Sequence, residues 1–357
     1  MLYPLSYRSR KVNLQDFTVI WQLINTLKTF YEHKISFSSQ RVWSAKLLFS
    51  TPNALRTKKL LLNRFHRTVV SAIILSLMRD VKVGRLTIGP KSPLVLLCGP
   101  CVIEGEEFTL QTASFLKDLF DKLGLGLVFK ASYDKANRSS VHGFRGVGID
   151  EGLRIMEKVK NEFDVPVVTD IHTVEEAKMA AEVIDILQIP AFLSRQTDLI
   201  VAAAQTGRVV EVKKGQFMAP WDMEQVVHKV SSQNNDNLLL VDRGTTFGYN
   251  NLVSDFRSIP IMQKLGYPVG FDATHSVQLP GGNGTSSGGQ REFIPYLAKA
   301  ALAVGANFLF MEAHPNPQEA KSDKASQIPF SELPSLLMQL KRLYEHVQEE
   351  IEMHVSA

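Results

Sequence analysis

The stretch from residue 167 to residue 213, VVTDIHTVEEAKMAAEVIDILQIPAFLSRQTDLIVAAAQTGRVVEVK, decides the fold. It holds three short apolar runs, Val167 to Asp170, Ile186 to Ile189 and Val209 to Lys213. Each is rich in β-branched residues and too short for a helix, as buried parallel strands are. Between the first two lies Glu175 to Val183, whose apolar positions recur at helical spacing.

Working outward, the same alternation runs through the rest of the chain. Strands are expected at Leu94 to Cys98, Leu127 to Ala131, Leu238 to Asp242, Val269 to Asp272 and Phe308 to Glu312. Helical periodicity marks Phe108 to Leu123, Gly152 to Phe163, Asp222 to Val230, Arg291 to Val304 and about Glu332 to Glu350. Eight such units close most simply into an α/β structure of the (β/α)8 type, the TIM barrel. A doubly wound sheet would carry a glycine-rich phosphate loop after its first strand, and Cys98-Gly99-Pro100-Cys101 is not one. Before the barrel, the runs Lys82 to Ile88 and Pro93 to Leu97 flank the turn Gly89 to Ser92, which predicts a short N-terminal β-hairpin.

The chain has 357 residues, 45% of them hydrophobic, enough for a large filled core and far from a disordered composition. Its net charge of +4 hides a division. Residues 1–79 hold thirteen Lys and Arg against Asp16 and Glu32, a net +11, whereas residues 80–357, with 27 bases and 34 acids, carry −7. We therefore divide the chain into a basic extension, residues 1–79, and a catalytic barrel, residues 80–357. The extension could be an arm for nucleic acid or anionic lipid, or an organelle-targeting presequence. The plainer expectation is a start placed too early, with Met78 opening the barrel protein, or a disordered arm. Val69 to Met78 is broken by serines and too short to span a bilayer. Two cysteines only, Cys98 and Cys101, suit a reducing compartment.

In a barrel of this kind, chemistry gathers where strands end. The expected strand ends carry Cys101, Lys130, Asp170 with His172, Gln188, Lys213, Arg243, Asp272 with His275, and Glu312. Lys130, Lys135, Arg138, Arg195, Lys213 and Arg243 form a local excess of cations in an acidic domain, which points to a polyanionic ligand. Strand alternation sends Glu211 and Lys213 into the lumen and leaves Lys214 on the other side. Cys101, His275, Glu312 and Asp323 come from the first, seventh and eighth strand ends, which become neighbours when a barrel closes. Mixed S, N and O donors suit Zn, Fe(II), Mn or Co better than Ca or Mg. The C-x-x-C spacing of Cys98 and Cys101 also occurs in dithiol redox sites, but those need a different host fold.

At the level of motifs the chain resembles 3-deoxy-D-manno-octulosonate 8-phosphate synthases. The resemblance rests on Gly99-Pro100-Cys101 with Glu104, Phe129 to Ser140 (FKASYDKANRSS), Thr169 to His172 (TDIH) and Pro190 to Asp198 (PAFLSRQTD). Val212 to Phe217 (VKKGQF), Asp242-Arg243-Gly244, Phe247 to Leu252, Asp272 to Ser276 (DATHS) and Glu312 to Pro315 (EAHP) add to it. It covers about residue 81 onward, and residues 1–79 do not match.

The resemblance implies a tetramer of (β/α)8 barrels that condenses phosphoenolpyruvate with arabinose 5-phosphate for lipopolysaccharide biosynthesis in the cytoplasm. It implies that Lys130, Ser132, Lys135, Lys213 and Arg243 hold phosphoenolpyruvate. Arg138 and Ser139, with Asn137 beside them and Arg195 from a neighbouring subunit, would hold the pentose phosphate. Gln188 joins the substrate-binding candidates, and Lys130, Lys135, Asp170 and His172 are the catalytic ones. Cysteine rather than asparagine at the position of Cys101 marks the metal-dependent branch, with Cys101, His275, Glu312 and Asp323 as expected ligands. Neither nucleic acid nor membrane is an expected partner of the barrel. Two positions depart from the pattern: Cys98 stands where alanine is usual, and Glu211 where asparagine is common. An ionised Glu211 beside Lys213 could weaken phosphate binding. The nearest rival is the sister synthase using erythrose 4-phosphate, which has a Lys-Pro-Arg-Thr-type segment where this chain has Lys135 to Ser140. A non-catalytic metal protein on the same barrel is a further rival.

Overall fold

The computed structural model describes residues 78–138, 140–282 and 287–356. Eight parallel strands alternate with eight helices. The strands are β1 (Val95–Gly99), β2 (Gly126–Lys130), β3 (Val167–Asp170), β4 (Ile186–Ile189), β5 (Val209–Lys213), β6 (Leu238–Asp242), β7 (Val269–Asp272) and β8 (Phe308–His314). The helices are α1 (Glu106–Leu123), α2 (Ile149–Phe163), α3 (Val174–Ala181), α4 (Thr197–Gln205), α5 (Met223–Ser231), α6 (Ser258–Gln263), α7 (Ile294–Ala303) and α8 (Leu333–Ser356). Each strand pairs with the next, and β8 pairs with both β7 and β1, so the sheet closes on itself. The predicted (β/α)8 barrel is present.

Strand alternation sorts the core into two layers. Leu94, Leu96 and Cys98 face the helices, together with Leu116, Phe120 and the apolar faces of the other helices. Val95, Leu97, Val128, Val168, Ile186, Val209, Leu239, Val241, Phe308 and Phe310 fill the lumen. Large rings fit there because small residues face them: a Cβ on Gly270 would lie 2.5 Å from the Phe308 ring. Cys98 and Cys101 therefore serve different layers. Cys98 is sealed against helices, where burial pushes its thiol up to about 12, and both cysteines are free thiols.

The hairpin exists but is drawn from other residues than the sequence suggested. Val81–Val83 pairs with Leu86–Ile88 across Gly84 and Arg85, so the first apolar run folds back on itself. Gly84 makes this possible by adopting φ 55°, a left-handed conformation cheap only for glycine. Gly89 to Ser92 is a turn as well, but it leads from the hairpin into β1. Val81, Val83 and Ile88 join the lumen cluster at the N-terminal end of the strands and close that end. Of the basic extension, residues 1–77 lie outside the described residues. Among the described residues no helix is long and apolar enough to cross a membrane.

Candidate active site

The C-terminal ends of the strands open into a cleft of about 690 Å³. Lys130, Lys135, Asn137, Arg138, Asp170, His172, Gln188, Lys213, Arg243, His275 and Asp323 all line it. Ser132 is fully buried beside it, with an unpartnered hydroxyl. Arg195 does not line this cleft; its side chain is exposed, and its carbonyl accepts from Lys229 Nζ at 3.0 Å. Ser139 lies outside the described residues.

The cations at the floor are buried and held by carboxylates. Lys130 Nζ donates to Glu312 Oε1 at 2.5 Å and to the Cys101 carbonyl at 2.9 Å. Lys213 Nζ donates to Asp272 Oδ2 at 2.6 Å and sits 3.1 Å from the centre of the Phe310 ring. Burial lowers the Lys213 pKa against the pull of Asp272 and Glu211. Burial would also lower Lys135, but Cys101, Glu312, Asp170 and Asp323 surround it and the net shift is upward. Arg243 donates to Gln278 Oε1 at 2.8 Å and the His275 carbonyl at 3.2 Å, leaving its buried Nε without a partner. Arg138 donates through Nε to the Phe144 carbonyl, and its Nη2 has no partner. Buried guanidinium N–H groups without acceptors cost free energy unless a ligand supplies them, and an anion would.

Lys214, expected to face away from the site, is fully buried as well. Its ammonium contacts the carbonyls of Gly215 and Met218 and the hydroxyl of Thr245, tying the loop after β5 to the loop after β6.

His172 is clamped. Its Nε2 lies 3.3 Å from Asp170 Oδ2, while its Nδ1 and backbone N lie 3.0 and 2.7 Å from Glu176 Oε2. Burial opposes a charged imidazole, yet the bond to Asp170 and the charge of Glu176 raise its pKa on balance. Asp170 itself is held well below the usual carboxylate range: burial opposes this, and Lys135 and His172 overcome it. Glu176 was missing from the sequence reading. Its signal was the Thr173-x-x-Glu176 spacing at the start of α3, where Thr173 Oγ1 accepts from Glu176 N at 3.2 Å while Glu176 Oε2 accepts from the backbone N of His172 rather than of Thr173. The same Glu176 oxygen also accepts from Tyr133 OH at 2.7 Å.

Opposite His172, the expected metal ligands meet. Donor atoms of Cys101, Glu312 and Asp323 lie within 4.8 Å of one another. His275 is not in that group of three, but its Nε2 stands 3.6 Å from both Glu312 Oε2 and Asp323 Oδ2. Asp272 Oδ2 accepts from His275 Nδ1 at 2.7 Å, which leaves Nε2 free to act as a donor atom toward the two carboxylates. Glu312 Oε2 is buried without a hydrogen-bond partner. Burial, with Asp323 and Glu312 close by, raises the Cys101 thiol well above its ordinary value, so its proton stays on and is shared with Asp323 at 3.1 Å. A divalent cation would relieve all of these, and one thiolate, one imidazole and two carboxylates fit a borderline ion. Asp323 reaches the group from a loop in a left-handed conformation, φ 47°, pinned by Glu104, which accepts from Lys321 N at 2.9 Å.

Comparison with known proteins agrees with this geometry. A family described as the DAHP synthetase I family matches residues 72–349. The 2-dehydro-3-deoxyphosphooctonate aldolase of Protochlamydia amoebophila is 63% identical over 273 residues, 76% of this chain and 99% of that protein. The proteins of the same name from Geobacter sulfurreducens and Geotalea daltonii are 57% and 56% identical over 265 and 267 residues. These cover 74% and 75% of this chain and 97% and 98% of the relatives. With a closed barrel, a cationic mouth and relatives matched along nearly their whole length, this chain belongs to the DAHP synthetase I family and, within it, to the 2-dehydro-3-deoxyphosphooctonate aldolases.

Proposed function

We propose that the protein condenses phosphoenolpyruvate with D-arabinose 5-phosphate and water, giving 3-deoxy-D-manno-octulosonate 8-phosphate and phosphate for lipopolysaccharide biosynthesis. The observation that carries this reading is the convergence of Lys130, Lys135, Arg138, Lys213 and Arg243 on one cleft, a concentration of positive charge that suits two anions. Lys130, Ser132, Lys135, Lys213 and Arg243 bind phosphoenolpyruvate at the floor. Asn137 and Arg138, which line the cleft, take the pentose phosphate together with Ser139, which lies outside the described residues, and Gln188 lines the same cleft. Fixing two anions that repel each other is a large part of the catalysis.

The enol C3 forms a bond to the aldehyde carbon, whose oxygen takes up a proton. Water adds at C2, losing one proton, and the C2–O bond to phosphate then breaks as the new hydroxyl loses its own. Two protons leave the water; one ends on the former aldehyde oxygen and one on phosphate. His172, clamped between Asp170 and Glu176, and Asp170 hold or orient these protons, while Lys130 and Lys135 stabilise the developing oxyanion. A divalent ion among Zn, Fe(II), Mn and Co, held by Cys101, His275, Glu312 and Asp323, would polarise the aldehyde or orient the water.

Residues 80–357 are the catalytic unit of this reading. Arg195, exposed and outside its own cleft, reaches the pentose phosphate of a neighbouring copy in a homotetramer. Free thiols at Cys98 and Cys101 favour the cytoplasm. The test is phosphate release from phosphoenolpyruvate with arabinose 5-phosphate or erythrose 4-phosphate, before and after chelation and return of metal. Pentose-dependent release that chelation abolishes and metal restores supports substrate and metal together. Release that survives chelation removes the four ligands from the reaction, and release with erythrose 4-phosphate alone transfers the protein to the sister activity.

A further inference from the structure

Glu211 has no role in that reaction, yet it lies in the middle of the barrel. It is the third residue of β5, with Val209 below it and Lys213 above it on the lumen side. Its side chain is fully buried, and neither carboxyl oxygen has a hydrogen-bond partner. Strand register sets it beside Gln188 of β4, which is in turn beside Asp170 of β3. Gln188 Oε1 and Asp170 Oδ1 are also buried acceptors with no donor.

Four charged groups face it: Lys213 from its own strand, Lys130 from β2, Asp170 from β3 and Asp272 from β7. None neutralises it by contact. The Lys213 ammonium is engaged by Asp272, and the Lys130 ammonium by Glu312. A buried carboxylate with neither hydrogen bond nor contacting counter-ion is among the costliest groups a protein can hold. The neutral acid avoids that cost, and its O–H is a donor in a ring of acceptors that lack one. In keeping with this, burial pushes the Glu211 carboxyl up to about 7 against the pull of Lys213.

We propose that Glu211 is a positioning residue that must carry a proton for phosphoenolpyruvate to bind, its ionisation placing a negative charge one layer beneath the anion-binding lysine. Two residues along a strand is about 7 Å, near enough in a buried lumen for that charge to oppose an incoming polyanion. Binding and protonation are then linked: above neutral pH the ligand draws a proton onto Glu211. The inference rests on the reading of the Lys213 site as the phosphoenolpyruvate site.

The test is calorimetric titration of phosphoenolpyruvate into the full-length protein at pH 8, in two buffers of different ionisation enthalpy, for wild type and E211Q. The wild type takes up about one proton more per site than E211Q. In parallel, its KM for phosphoenolpyruvate climbs toward about tenfold per pH unit above neutrality, relative to that of E211Q. Binding with equal proton uptake in the two proteins overturns the inference and leaves the phosphoenolpyruvate site standing, whereas no binding heat at any pH overturns both. E211N replaces E211Q if the latter does not fold, and a wild type that takes up no proton overturns the inference by itself.

Discussion

Cys101 and Glu176 show how single side chains set the chemistry of this barrel. Burial, and then the carboxylates of Asp323 and Glu312, push the Cys101 thiol well above its ordinary value, so without a cation beside it the group is a poor nucleophile, and it would ligate a metal by giving up its proton. C101N is expected to lose most of its bound divalent metal, measured by elemental analysis of the purified protein, and its residual activity should withstand chelation. Unchanged metal content would remove Cys101 from the ligand set. Against burial, Asp170 and then Glu176 raise the His172 pKa in the folded state, so the Glu176 pair adds stability that is fully present below the unfolded histidine value, about 6.5, and lost as pH rises through the folded value. The deficit of E176Q in urea unfolding should therefore be larger at pH 5.5 than at pH 9, and a pH-independent deficit would deny the ion pair. The meeting of the lysines, Arg243 and the four candidate metal ligands was legible in the sequence because strand ends in this fold point at one mouth. Glu176 and the buried state of Lys214 were not, because one sits in the first turn of a helix while its carboxylate turns back to orient His172, and the other depends on loops meeting across the mouth.

The strands were more legible than the connections. Five of the eight expected ranges, from Val167–Asp170 to Val269–Asp272, coincide with β3 to β7, since short, mostly apolar runs buried on both faces leave little freedom in where a strand ends. The hairpin was misdrawn because a left-handed Gly84 turns the chain inside what reads as one run. The six-residue helix α6, with Pro260 in it, gives too few turns for periodicity to register. At Gly270 the strand β7 lies close against a ring of β8. A methyl group there meets the Phe308 ring, so G270A is expected to lose about 1–3 kcal/mol by denaturant unfolding. A double variant with Phe308→Leu should recover part of that loss; no recovery would place the strain elsewhere.

Across the whole molecule, the division of charge between residues 1–79 and the acidic barrel was plain from composition, whereas the assembly of copies is not written in any one motif. If Arg195 serves a neighbouring site, R195A and R138A are each nearly inactive, and subunits mixed by unfolding and refolding together regain intact sites. Random pairing would restore about a quarter of them, read as phosphate release; no gain would confine each site to one chain. The hairpin of Val81 to Ile88 adds a constraint of another kind. Because it stops the far end of the lumen, the well has a single door. Under the proposed reaction, both substrates, the one for Lys213 and the one for Arg138, enter by that door. Both products must leave by the same door, so a crowded doorway, rather than the bond-making below it, can set the pace of turnover.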